Sequence, residues 1–368
     1  MLTKKKSIAI TLATVALGVA SVTSQKSVPN AFADSPVPLK TRVQLTGAGA
    51  TFPAPLYQNW FVMLNRKVPN LQVNYQGTGS GAGVEQFIKG TVDFAGSDVA
   101  MKDEEIAKVS KGGVLMLPVT AGEIVLAYEV PGVPKLRLSQ ATYVDIFLGK
   151  ITNWNDPKIA KDNPGVKFPD LPITVVHRSD GSGTTAVFTQ NLSEMSPEWK
   201  TKVGSGKSVQ WPSGKFVGSK GNDGITATLK RTPGSIGYVE YGYAKTNKVN
   251  MAILGNKAGK FIEANEKIGS QTLAKVNLPA NLRAFILNPS DPGAYPFVTY
   301  TWLLVHKQYD SPDKAVAIKA MIDYAINEGQ SQSSALGYIP IPKVVRQKIA
   351  AAANAIDPSS PAYKITVK

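Results

Sequence analysis

Three short stretches of the chain gather glycine and hydroxyl residues: TGAGATF (Thr46–Phe52), GTGSGAG (Gly77–Gly83) and DGSGTT (Asp180–Thr185). The third sits inside HRSDGSGTTAVF (His177–Phe188), which adds an arginine and an aspartate just ahead of an apolar run. A turn of this composition at a helix start presents free backbone N–H groups and the positive end of the helix dipole at one spot, and glycine lets that backbone come close to a ligand. The natural occupant is a small oxyanion. One such loop alone is better read as an ordinary N-cap turn; three with the same chemistry favour a shared anion.

Other chemistries fit less well. GSGKS (Gly204–Ser208) looks like half a P-loop, but Thr201 stands where the leading glycine belongs. GSGTTA after ITVVH matches a relaxed G-x-G-x-x-A dinucleotide fingerprint, yet the acidic strand end it requires about twenty residues on falls in SEMSPEWKTK. Ser182, Asp180 and two histidines raise the possibility of a serine hydrolase, but no G-x-S-x-G elbow surrounds Ser182. His177, after an apolar strand, and His306, in LLVHK, read as packed structural residues. Two isolated histidines, dispersed carboxylates and no cysteine offer no metal-ligand spacing and no thiol nucleophile.

The elements that must carry these loops alternate. VQLTGAGA leads into PAPLYQNWFVMLNRK, LQVNYQG into GVEQFIKG, VDFAGSD into KDEEIAKV, and LPITVVHR into GTTAVFTQNL. Each reads as strand, turn and helix, so the chain belongs to the α/β class. Further strands are expected in GEIVLAYEV, SIGYVEY and TYTWLLVHK, and further helices in QATYVDIFL, NDGITATLK and DKAVAIKAMIDYAINEG. Ser311 and Pro312 form an N-cap and first-turn pair for the last helix, with Ala315, Ile318, Met321, Ile322 and Ala325 on one apolar face. In an open α/β sheet, ligands bind beyond the carboxyl ends of the strands, where the glycine-hydroxyl turns would lie. Residues 245–295, rich in Lys and Asn, show no site and read as surface.

At 368 residues and 43% hydrophobic content the chain can bury a large core and two domains. Its net charge is +15, of which Lys4, Lys5, Lys6 and Lys26 contribute four. Basic residues are scattered with no tract of five or more, which argues against nucleic acid and leaves small anions and anionic membranes open. Lys4–Lys6, the short apolar SIAITLATVALGVASV and AFA (Ala31–Ala33) form a secretory signal, with cleavage expected after Ala33. With no cysteine to carry a lipid anchor, an exported protein needs a container, and the periplasm is the simplest one.

Several blocks together resemble a known family. LTGAGATFPAPLY, VNYQGTGSGAGV, VDFAGSD, RSDGSGTTAVF, SKGNDGI and PGSIGYVEYGYAK are similar, in order, to the phosphate-binding protein of the bacterial ABC-type phosphate uptake system. The likeness runs from about Val43 to the C-terminus. It implies a two-lobed class II periplasmic binding protein fold, with two crossover strands forming a hinge. Lobe 1 would comprise 34–120 with 297–368, and lobe 2 would comprise 121–296. It further implies that inorganic phosphate is held by Thr51, Phe52 through its backbone N–H, Ser80, Asp98, Arg178, Ser182, Gly183 and Thr184, with Asp180 pairing Arg178. The implied partner is an inner-membrane ABC permease that takes phosphate from a monomeric receptor without cofactor or metal. Ser80 is followed by GAGV where relatives commonly have a second serine, and His177 stands where another basic residue occurs; neither departure removes a ligand.

Those residues are chemically apt. Hydroxyls of Thr51, Ser80, Ser182 and Thr184, helix-start N–H groups and one guanidinium are all donors toward oxygens that are all acceptors. At about 1.5–3 kcal/mol each, a handful of charge-assisted bonds reaches the roughly 8 kcal/mol of a micromolar site. Asp180 either restrains the guanidinium or is a plain turn former. Asp98 either caps the helix near Lys102 or, ionised, accepts a hydrogen bond from the P–OH that phosphate, unlike sulfate, still carries near neutral pH. Nothing here needs catalysis. Related tetrahedral oxyanions such as sulfate or molybdate, and an exported phosphate-ester hydrolase, are the alternative readings.

Overall fold

The computed structural model describes residues 37–357 and 363–368, and the expected leader at 1–33 lies outside them. The chain opens with β1 (Val43–Gly49), α1 (Ala54–Lys67), β2 (Leu71–Gly77), α2 (Ser80–Ile88), β3 (Phe94–Ser97) and the short α3 (Asp103–Ile106). The long β4 (Val114–Glu129) then leads to β5 (Arg137–Leu138), α4 (Gln140–Phe147), α5 (Pro157–Asp162), β6 (Thr174–Arg178), α6 (Gly183–Met195), α7 (Pro197–Lys202), β7 (Phe216–Ser219), α8 (Gly221–Arg231), β8 (Ser235–Glu240) and α9 (Tyr241–Thr246). β9 (Asn250–Met251), β10 (Ile253–Gly255), β11 (Phe261–Ile262) and α10 (Glu266–Ala274) precede β12 (Val298–His306), α11 (Pro312–Ile326) and α12 (Lys343–Asn354).

One curled sheet runs β2-β1-β3-β12-β4-β8-β6-β7, with β9 also on β4. β1 pairs parallel with β2 and β3, and β6 pairs parallel with β7 and β8. β4 joins the two parallel groups by changing partner along its length. Val114–Glu123 pairs antiparallel with β12, and Ile124–Glu129 pairs antiparallel with β8. β8 and β12 are buried at every position, as strands covered on both faces should be.

Helix packing follows the apolar spacing. α1 starts behind Pro53 and buries Leu56, Tyr57, Trp60, Phe61 and Leu64. Ser311 caps α11 by accepting the Lys314 N–H at 3.2 Å, and Ala315, Ile318, Met321, Ile322 and Ala325 are all buried. Val316, Ala317, Ala320 and Ile326 are buried too, so α11 is enclosed on more sides than its stripe required.

The surface assignment of 245–295 needs correction. Ala252, Leu254, Leu273, Leu278 and Tyr295 are buried, and β10 pairs with β5 and β11 in a separate three-stranded sheet. The apolar runs there are short, MAIL (Met251–Leu254) and AFIL (Ala284–Leu287), and lie among lysines and asparagines; tertiary packing turns part of each inward.

Candidate anion-binding site

Each glycine-hydroxyl turn follows the carboxyl end of a parallel strand. β1 ends at Gly49, and Thr51 and Phe52 make the turn into α1; β2 ends at Gly77, and α2 begins at Ser80. β6 ends on Arg178, and Ser182 is the N-cap of α6. Its Oγ accepts the Thr185 N–H at 3.0 Å, while the N–H groups of Gly183 and Thr184, in the first turn, have no acceptor within the helix. β3 delivers Asp98 directly. The structure thus brings Thr51, Phe52, Ser80, Asp98, Arg178, Ser182, Gly183 and Thr184 together from both parallel groups, all of them buried.

A fourth helix start joins them. α8 opens at Gly221, and the backbone N–H and Nδ2 of Asn222 donate to Thr51 Oγ1 at 3.2 and 2.9 Å. Tyr243 donates its hydroxyl to the Thr51 carbonyl at 2.7 Å, and Tyr338 donates to the Phe52 carbonyl at 2.7 Å. Asn222 was not among the residues expected from sequence; its signal was the glycine-flanked SKGNDGI block ahead of a helix. Because Oγ1 accepts both Asn222 bonds, the Thr51 hydroxyl keeps its own proton for a ligand.

Arg178 is fixed by its neighbours. Its Nε and Nη2 donate to Asp180 Oδ1 and Oδ2 at 2.7 and 2.5 Å, and Nη1 reaches Thr184 Oγ1 at 3.4 Å. Asp180 Oδ1 also accepts the Gly221 N–H at 3.0 Å, tying the guanidinium to the start of α8. Burial pushes the Asp180 carboxyl up, but the Arg178 fork and the Gly221 bond outweigh it and leave the group below its ordinary range.

Asp98 is different in kind. Thr301 donates to its Oδ1 at 2.9 Å, and Ser80 lies 3.5 Å from Oδ2. Complete burial raises its pKa to about 7, against the opposing pull of Thr301, Arg178 and Ser80. The capping alternative fails: Lys102 is the N-cap of α3, and Glu105 Oε2 accepts the Lys102 N–H at 2.9 Å. A buried carboxylate facing a ring of donors can, when ionised, accept a hydrogen bond from a protonated oxyanion.

Glycine is required where the two parallel groups meet. Gly81 donates its N–H to the Gly181 carbonyl at 2.7 Å. A Cβ on Gly79, which has φ +93°, would lie 2.4 Å from the Asp180 carboxylate. A Cβ on Gly183 would lie 2.4 Å from Ser80 Oγ and 2.8 Å from Asp98 Oδ2. Neither histidine pairs with Ser182: the His177 ring stacks on Trp211 with centroids 4.9 Å apart, and His306 stacks on Phe87 at 4.1 Å. Among the described residues no cluster of His, Cys, Asp or Glu could hold a metal, and no helix is long and apolar enough to cross a membrane.

Comparison with known proteins agrees with this geometry. The PBP superfamily domain matches residues 35–328. The chain is 42% identical over 318 residues to the phosphate-binding protein PstS of Pasteurella multocida, covering 85% of this chain and 91% of that one. It is 39% identical over 310 residues to the PstS of Haemophilus influenzae, with 83% and 91% covered. Among solved structures, a high-affinity periplasmic phosphate-binding protein, PfluDING, bound with phosphate, superposes with a TM-score of 0.69 at 20% identity, over 87% of this chain and 95% of its own. A phosphate-binding protein from Stenotrophomonas maltophilia superposes with a TM-score of 0.66 at 22% identity, over 84% and 93%. The fold is therefore the two-lobed α/β fold of class II periplasmic binding proteins. On sequence, fold and the residues gathered between its two strand groups, the chain belongs to the PstS family of phosphate-binding proteins, within the PBP superfamily.

Proposed function

We propose that this protein is a periplasmic receptor that binds one inorganic phosphate between two lobes and hands it to an inner-membrane ABC permease. The observation that carries the reading is the convergence of four helix starts, one restrained guanidinium and one buried carboxylate with a raised pKa. The donors suit a tetrahedral oxyanion, and Asp98 suits one that still carries a proton. In this reading Thr51, Phe52, Ser80, Asp98, Arg178, Ser182, Gly183 and Thr184 touch phosphate, Asp180 supports Arg178, and Asn222 positions Thr51. Lobe 1 comprises 34–120 with 297–368 and lobe 2 comprises 121–296, a division supported by the partner change of β4 between Glu123 and Ile124. The leader is removed after Ala33, and the mature receptor works as a monomer. Ser182 has no histidine partner, which supports reversible binding without turnover.

Calorimetric titration of protein stripped of bound anion tests the reading. Phosphate and arsenate, both protonated near neutral pH, bind with one-to-one stoichiometry, while sulfate and molybdate do not compete, and a chromogenic phosphate ester is not turned over. Tighter binding of sulfate or molybdate than of phosphate, or turnover of the ester, overturns it.

A further inference from the structure

The GSGKS loop that fails as a P-loop has another role in the closed form. Lys207 accepts the N–H of Ser182, the N-cap of α6, on its backbone carbonyl at 2.8 Å. The neighbouring Gly206 N–H donates to Thr189 Oγ1 in the same helix at 3.2 Å. The loop is thereby pinned to the helix that presents Ser182, Gly183 and Thr184. From there Lys207 Nζ reaches across to Glu105 Oε1 at 2.9 Å, in α3 of the other strand group, with about a quarter of each side chain exposed.

Glu105 is held ready for that contact. Its second oxygen is occupied by the Lys102 N–H. Arg283, in lobe 2, makes a second tie to α3 in the same closed form, its Nη1 and Nη2 donating to Asp103 Oδ1 at 2.6 Å and the Met101 carbonyl at 2.9 Å. Burial pushes the Glu105 carboxyl up, but its bonds to Lys207 and Lys102 prevail and keep it below the ordinary range. A pair whose partners are already ordered loses little side-chain entropy on forming.

We infer that Lys207 and Glu105 form a clasp between the lobes that holds the closed form and slows release of the anion, although neither is among its ligands. This rests on the phosphate reading and on opening of the lobes for release. Lys207 has a rival role as a cation that attracts the anion through space, and Glu105→Gln separates the two. Removing the Glu105 charge raises the local positive potential, so a pure field effect would slow release. Loss of a clasp speeds it.

The test loads protein with radiolabelled inorganic phosphate and follows its release into excess unlabelled phosphate. Glu105→Gln and Lys207→Met each release label about three- to ten-fold faster than the parent. The exchanged pair Lys207→Glu with Glu105→Lys restores most of the parent rate, and raising salt narrows the gap between parent and single variants. Release from Glu105→Gln that matches or lags the parent overturns the clasp while leaving phosphate binding intact. A parent that retains no label overturns the functional reading and the clasp with it.

Discussion

Arg178 and Asp98 divide the work at the site. Arg178 supplies the full positive charge among the proposed ligands, and Asp180 is oriented onto it through two bonds. Replacing Arg178 with alanine removes that charge and leaves Asp180, whose side chain is 10% exposed, facing the anion unpaired. Calorimetry is expected to show a loss of phosphate affinity of roughly a hundred-fold or more for Arg178→Ala, against about ten-fold for Thr184→Ala; equal losses contradict this ranking. Above pH 7, where Asp98 is ionised, Asp98→Asn keeps the shape and a carbonyl acceptor but removes the charge that repels sulfate. Competition titration is expected to show discrimination against sulfate falling at least ten-fold, about 1.4 kcal/mol, with a modest change for phosphate. A variant that rejects sulfate as well as the parent sinks the proton-reading role. The same residue sets a pH dependence of the closed form, in which it is buried. Its folded pKa of about 7 lies above its ordinary value, so its contribution to stability is complete at acid pH and is lost as pH rises through 7. Urea unfolding should therefore show Asp98→Asn gaining on the parent between about pH 4 and pH 7, by at most about 4 kcal/mol. A gap that does not change with pH would contradict the assignment.

Among the elements, helix starts are the working parts, and their spacing tolerates little. Gly183, at the first turn of α6, has no room for a Cβ between Ser80 and Asp98. Gly183→Ala must push α6 away from α2 and Asp98, and a loss of at least about ten-fold in phosphate affinity is expected in titration, since more than one charge-assisted bond is disturbed. Gly224, inside α8, is the contrasting case: its nearest neighbours to an added Cβ lie at 3.6 Å, ordinary contact. Gly224→Ala should raise stability by about 0.5–1 kcal/mol through helix propensity and leave binding unchanged. Equal affinity in the parent and Gly183→Ala would show that the approach of α6 to Asp98 is not needed for the bound state.

Over the whole molecule, the two parallel strand groups are joined through β4 and through the chain entering β12, where the Ile124 N–H donates to the Phe297 carbonyl at 2.9 Å. Two close connections are the geometry of a hinge, and bonds such as Gly81 to Gly181 and Asn222 to Thr51 form only when the groups are together. X-ray scattering in solution should report a smaller radius of gyration when phosphate is added to anion-free protein. Superimposable curves with and without phosphate would argue against a hinged receptor.

Much of this was legible in the one-dimensional pattern because it is local. Strand, turn and helix follow one another within a dozen residues around Thr51, Ser80 and Ser182, and glycine with hydroxyls announces a helix start whatever the rest of the chain does. The apolar stripe of α11 and its Ser311 cap were equally visible. Three features were not, because each depends on residues far apart in sequence. Asn222 meets Thr51 across 171 positions, so its role exists only once α8 and the β1 turn are brought side by side. The lysines and asparagines of 245–295 make it read as surface, and only the packing around β10 and β5 shows which of its apolar residues face inward. The state of Asp98 is likewise a tertiary property: the aspartate is written in the sequence, but burial by the folded chain raises its pKa to about 7, against the pull of Thr301, from a strand two hundred residues later.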